Sequence, residues 1–134
     1  MKEQTIDTYF AELEKDIQNA YESGVTIEEA EKLAAKFLGA QIRISNVLAN
    51  TDLDSRMRKS GVKAIKAAVY MDAATKSEKK PSDVMLNNIV DMNEIVQGEQ
   101  RSFDEADVLK DKYQNYLNIC KEGHVYFRQM SKAQ

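Results

Sequence analysis

The sequence predicts an all-α protein, a single domain over residues 1–134 built from about five helices, and three observations predict it. Apolar residues recur at steps of three and four along nearly the whole chain, and no alternating strand pattern competes with them. Turn-formers are scarce, with 1 Pro and 5 Gly in 134 residues. Ser, Thr and Asp stand just ahead of the periodic runs, where helix N-termini want an acceptor side chain.

Ile6, Phe10, Leu13, Ile17 and Ala20/Tyr21 step by four and three, which gives a helix over 6–21 one apolar face; Gly24 ends it. Thr26 followed by Glu29 reads as a capping box and opens a second helix to about Asn50. The apolar residues of that helix (Ile27, Ala30, Leu33, Ala34, Phe37, Leu38, Ala40, Ile42, Ile44, Val47 and Leu48) cover roughly two-thirds of its circumference at 100° per residue, where a surface helix needs a stripe nearer 100° wide. It is therefore either central to the fold or partly buried against a second copy of the chain. The width of this arc motivates the expectation of a homo-oligomer.

The cluster Asn50-Thr51-Asp52 reads as a turn or kink, with Asp52 or Asp54 capping a third helix to about Lys76. Ser77 to Pro81 is polar, charged and closed by the only proline, so it reads as a loop. Ser82 then caps a fourth helix through Val96, with Leu86, Ile89, Val90 and Asn93 on one side. Gly98 interrupts, and Ser102 with Glu105 forms a second capping box. The fifth helix carries Leu109, Tyr113, Tyr116, Cys120, Gly123, Phe127 and Met130 at steps of four and three.

Hydrophobic content of 43% against 31% charged residues is that of a soluble globular chain. No apolar run approaches the roughly 18–20 residues that span a bilayer, and Met1-Lys2-Glu3-Gln4 opens without an apolar leader. A lone Cys120 forms no intramolecular disulfide. These observations set the expectation of a cytoplasmic protein, in the host cytoplasm if its source is viral.

The formal charge of −3 hides a strong asymmetry. Residues 1–40 carry 4 Lys/Arg against 9 Asp/Glu, residues 41–80 carry 9 against 4, and residues 81–134 carry 6 against 9. Within the basic block, Arg56, Lys59, Lys63, Lys66 and Tyr70 step by three, four, three and four. On a helix they form one ridge of four cations ending in an aromatic ring, amid the small and apolar residues Val62, Ala64, Ile65, Ala67, Ala68, Val69, Met71 and Ala73. Lys76, Lys79 and Lys80 extend the positive field into the loop. Like charges at these spacings repel by some tenths of a kcal/mol per pair. The ridge reads as a solvated face, as a partner for the acidic turn Glu28, Glu29 and Glu31, or as a contact for a phosphate chain with Tyr70 stacking on an unpaired base.

Enzyme signatures are missing. His124 is the only histidine, which excludes sites built on two or three His. Cys120 and His124 have the spacing of a thiolate pair, but Cys120 falls on the apolar face of its helix. The acidic run Asp104, Glu105, Asp107 and Asp111 reads as a first turn favouring the helix dipole. No phosphate-binding loop, dinucleotide fingerprint or EF-hand occurs, so neither metal nor cofactor is implied. The tyrosines at 113, 116 and 126 and Phe127 read as core or interface.

Lys63-Ala64-Ile65-Lys66-Ala67-Ala68-Val69-Tyr70, followed by Lys79-Lys80-Pro81-Ser82-Asp83 and Leu86, resembles the middle segment of phage recombination mediators of the UvsY type. In those proteins too a Lys-rich helix passes into a tyrosine-bearing loop and then two further helical segments. The order of features matches over most of the chain, and residues 63–83 match at the level of the motif. The family's Tyr-Ser-Gly-basic turn is replaced here by Tyr70-Met71-Asp72-Ala73. The resemblance implies an oligomeric helical protein that binds single-stranded DNA without sequence preference and helps load a recombinase on it. The competing expectation is a small helical protein-binding module, a viral inhibitor or adaptor, acting through its acidic helices.

Overall fold

The computed structural model describes residues 5–77 and 79–132, and its regular structure is entirely helical: α1 (Ile6–Ser23), α2 (Ile27–Lys76), α3 (Asp83–Met92) and α4 (Glu94–Lys132). The all-α class holds, with four helices in place of about five. α1 starts on Thr5, whose Oγ1 accepts the Thr8 amide at 3.1 Å. It ends where Gly24 takes φ 69 and returns its N–H to the Ala20 carbonyl at 3.0 Å, a left-handed step suited to glycine. Thr26 Oγ1 accepts the Glu29 amide at 3.1 Å and starts α2.

The helix end expected at Asn50–Asp52 is not there. α2 runs on through it, and Asp52, Asp54 and Ser55 have partners along or beside the helix. Asp52 pairs with Arg56 at 3.1 Å and Asp54 with Arg58 at 2.9 Å, both four residues on. Buried Ser55 donates to Asp107 at 3.4 Å. With neither Pro nor Gly present, nothing in the backbone forces a stop.

The next break also falls elsewhere than expected. α3 stops at Met92, and α4 passes through Gly98 and Ser102 without interruption, so neither Gly98 nor the Ser102/Glu105 pair marks a terminus. The boundary is Asn93. Its extended backbone closes α3, and its Oδ1 accepts the amides of Ile95 at 2.9 Å and Val96 at 3.1 Å, which starts α4. A glycine inside a helix costs about 1 kcal/mol, too little to end one that packing supports. Replacing Asn93 with Ala removes the acceptor of both amides, and a loss of about 1 kcal/mol is expected in urea unfolding followed by circular dichroism.

The chain gathers into two compact units, Met1–Ala49 with Asp111–Gln134, and Asn50–Lys110. The first has a dense core. Phe10, Leu13 and Ala20 of α1 meet Ala34, Phe37, Ala40 and Ile44 of α2 and Leu117, Cys120 and Phe127 of α4. The ladder expected from Leu109 to Met130 supplies much of the α4 contribution through Cys120 and Phe127, while its first member, Leu109, is exposed. Phe10 stacks on Tyr116 with ring centroids 3.9 Å apart. Asp7 accepts the Tyr116 hydroxyl at 2.9 Å and pairs with Lys112 at 2.9 Å.

The Lys112 ammonium, and after it the Tyr116 hydroxyl, hold the Asp7 carboxyl below its ordinary value. The folded state therefore binds this proton less readily than the unfolded chain does. The stabilisation is complete above about pH 4, the unfolded carboxylate range, and disappears as pH falls through the lower folded value. Since the pair is solvent-screened, the expected effect of Asp7→Asn on urea unfolding at pH 6 is a loss of about 0.5 kcal/mol or less, shrinking as pH falls below about 4.

The second unit packs α2 against α4 running the other way, with Ser55 beside Asp107 and Gly61 near Glu99. Its buried side chains are smaller: Ser55 and Val62 of α2, Leu86 and Val90 of α3, Val96 and Ala106 of α4.

Candidate nucleic-acid interface

The basic ridge lies wholly in the second unit, on about the last six turns of α2 and the loop after it. Helical spacing places Arg56, Lys59, Lys63, Lys66 and Tyr70 on one side, and Val62, about 80° away, is the residue that anchors the helix to the unit. Arg56, Lys59 and Lys63 are exposed, and Lys66 and Tyr70 are half-buried. Lys76, Lys79 and Lys80 are exposed as well.

Charge pairing divides the ridge in two. Arg56 has Asp52 as its own counter-ion at 3.1 Å, and Lys76 has Asp72 at 3.1 Å. Among the described residues, no carboxylate lies within ion-pair distance of Lys59, Lys63 or Lys66. Within one chain no ion pair joins them to the acidic turn at 28–31, where Glu28 pairs with Lys32 at 3.7 Å. Three adjacent lysines on one helical face are thus left with water and mobile ions as their counter-charge, the condition under which a polyanion gains most by replacing them.

Tyr70 has a structural task that its spacing did not reveal. Its hydroxyl donates to the Asp83 carboxylate at 2.7 Å, tying the end of α2 to the start of α3 across the loop. That bond, with some burial, raises the phenol above its ordinary pKa. The hydroxyl end of the ring is therefore occupied by an anion. Ser82 Oγ accepts the Met85 amide at 3.2 Å next to this latch, so the capping role expected of Ser82 is met.

Beside the lysines the fold adds polar groups that helical spacing alone could not bring together. Lys66 borders an open hollow of about 400 Å³ shared with Asp91, Gln97, Gln100 and Arg101. A second of about 340 Å³ lies between Lys66, Tyr70, Asn87 and Asp91. Amide side chains next to a row of cations can hydrogen-bond sugars or base edges, while Asp91 repels phosphate from both hollows. The arrangement can hold an extended anion; it has no paired nucleophile and base.

The other candidates fall to structural roles. Cys120 is fully enclosed, and burial pushes its thiol up to about 11, so little thiolate forms at neutral pH. His124 Nδ1 lies 2.9 Å from the Ala34 carbonyl, which ties the ring to the backbone of α2. The acidic run at 104–111 sits well inside α4, so the helix-dipole explanation is withdrawn. Its members are held locally instead, Asp107 by Lys110 at 3.0 Å and Asp104 by Gln100 at 3.0 Å. Among the described residues no cluster of three or more His, Cys, Asp or Glu could hold a metal ion, and no helix is long and apolar enough to cross a membrane. No protein-family model, curated protein or solved structure matches the chain.

Proposed function

We propose that this protein is a non-enzymatic accessory factor that binds single-stranded nucleic acid without sequence preference and works as a homo-oligomer. The single observation that carries the reading is the row Lys59, Lys63 and Lys66, exposed or half-buried on one helical face with no carboxylate in ion-pair reach among the described residues. Arg56 and the loop cations Lys76, Lys79 and Lys80 extend the row at either end. Stacking on the face of Tyr70 is the sequence-tolerant contribution. In its narrowest form the reading is a recombination mediator that helps load a recombinase on single-stranded DNA, as the resemblance at 63–83 implies. Fluorescence anisotropy with an unstructured oligonucleotide tests it. Tyr70→Ala should weaken binding with little change in salt dependence, because stacking releases no counterion.

A second reading is favoured by α3, whose outward side chains Val84, Met85, Ile89 and Met92 are exposed. An apolar face of this kind fits a protein partner. A stoichiometric complex that survives nuclease treatment and is lost in Ile89→Lys would support it over the first.

A further inference from the structure

Three charged side chains of the second unit border the hollow of about 400 Å³ without pairing across it. Lys66 comes from α2, Asp91 from the last turn of α3 and Arg101 from the second turn of α4. Among the described residues, none of the three has an ion-pair partner. Val96, nearly fully buried, gives the hollow an apolar wall, and Gln97 and Gln100 complete it. Gln97 Nε2 donates to the Asp91 backbone carbonyl at 3.1 Å, and Gln100 Nε2 to the Asp104 carboxylate at 3.0 Å. Both partners only accept, so each glutamine commits its nitrogen to the protein and keeps its carbonyl oxygen for a ligand.

The hollow thus sets acceptors at Asp91, Gln97 and Gln100 against cationic donors at Lys66 and Arg101. A phosphate suits this set badly, because Asp91 repels it. A neutral planar group with two adjacent donors on one edge and two adjacent acceptors on the next suits it well. Guanine has both: N1–H beside the 2-amino group, and O6 beside N7. Adenine and cytosine each place an amino group next to a bare ring nitrogen, which a carboxylate repels. Thymine has a single N–H between two carbonyls.

We propose that this hollow seats one guanine of the bound single strand. The Asp91 carboxylate accepts from N1–H and the 2-amino group, and the planar fork of Arg101 donates to O6 and N7. Lys66 is the last cation of the row on α2, so a strand lying along Lys59, Lys63 and Lys66 brings its next nucleotide to the hollow. The proposal rests on the nucleic-acid reading above and adds one contact that reads a base. Phosphate contacts fix a strand in place and base contacts select it. The indifference to sequence proposed for the ridge then holds along the strand except at this one nucleotide.

Anisotropy titrations of the full chain with a short oligothymidine, and with the same strand carrying one central guanine, test it. The guanine strand should bind about tenfold more tightly, the effect of one bidentate base contact on an open surface. Its salt slope should be the same, because a neutral base releases no counterion. Inosine at that position lacks the 2-amino group and should lose most of the gain; 7-deazaguanine lacks N7 and should lose part of it. Asp91→Ala should bring the guanine strand level with oligothymidine without weakening the latter, since it removes a charge that repels phosphate. Free guanosine monophosphate, which has no chain to lie on the ridge, should compete far more weakly than the strand. Equal binding of the two strands, a preference that survives Asp91→Ala, or inosine or 7-deazaguanine as good as guanine would overturn this seat and leave strand binding standing. Guanosine monophosphate competing as well as the strand would overturn the assignment of the hollow to a strand. Failure of both strands to bind at low salt would overturn this proposal together with the function on which it rests.

Discussion

Replacing Gly123 by Ala should lower the stability of the unit around Phe37 by about 1–2 kcal/mol, although Ala is the better helix former by about 1 kcal/mol. Gly123 is buried on α4, and a Cβ built there stands 2.8 Å from Cδ1 and Cε1 of Phe37. Carbon atoms pack best near 3.5–4.0 Å, so the ring would have to move. It has nowhere to go: Phe37 is fully enclosed, with the Phe127 ring centroid 5.3 Å away. Gly39 makes the comparison clean, because nothing lies within 4 Å of its Cβ position and it is exposed on α2. Gly39→Ala should stabilise by up to about 1 kcal/mol. Urea unfolding of the two variants should thus move in opposite directions. Pairing Gly123→Ala with Phe37→Leu should cost less than the sum of the two changes, since the smaller side chain relieves the clash. A Gly123→Ala protein as stable as Gly39→Ala would show that the ring does not rest on the glycine.

The second large effect concerns the ridge. Replacing Lys63 and Lys66 together with Ala should weaken binding to an unstructured oligonucleotide about 25-fold near 0.1 M salt and flatten the log–log salt slope by about one to two units, at about 0.7 per phosphate contact. Arg56→Ala should do less than Lys63→Ala alone, because Arg56 already carries Asp52 as a counter-ion and releases less salt on binding. Equal losses at the two positions would mean that the pairing within α2 does not matter to the ligand.

Periodicity pointed to the helical class and to much of each core face, although Ile89 and Leu109, which it set on those faces, are exposed; the capping residues Thr26 and Ser82 and the stop at Gly24 stand where spacing placed them. The failures share one cause. Asn50-Thr51-Asp52 and Ser102/Glu105 have the polar chemistry of helix ends, and only the partners of Asp52, Asp54 and Ser55 reveal helix interior in the first of them. Asn93 hid in an apolar ladder, and its role as a double acceptor depends on backbone geometry that no spacing encodes. The ridge was readable because its order is local to one helix. The latch from Tyr70 to Asp83 and the approach of Gln97, Gln100 and Arg101 to Lys66 were not, since they join separate elements. The two faces of α2 were visible as one wide apolar arc, and only burial divides it into a core side and an exposed side.

The central claim is that the unpaired lysines of α2 bind a single strand through its phosphates. The most direct measurement is an anisotropy titration of the native protein with an unstructured oligonucleotide at 50 and 200 mM salt. Three phosphate contacts give a log–log slope of roughly −2, so affinity should drop about 20-fold between the two conditions. No binding at 50 mM with protein in the tens of micromolar, or binding indifferent to salt, would contradict the account and leave the ridge as a solvated face.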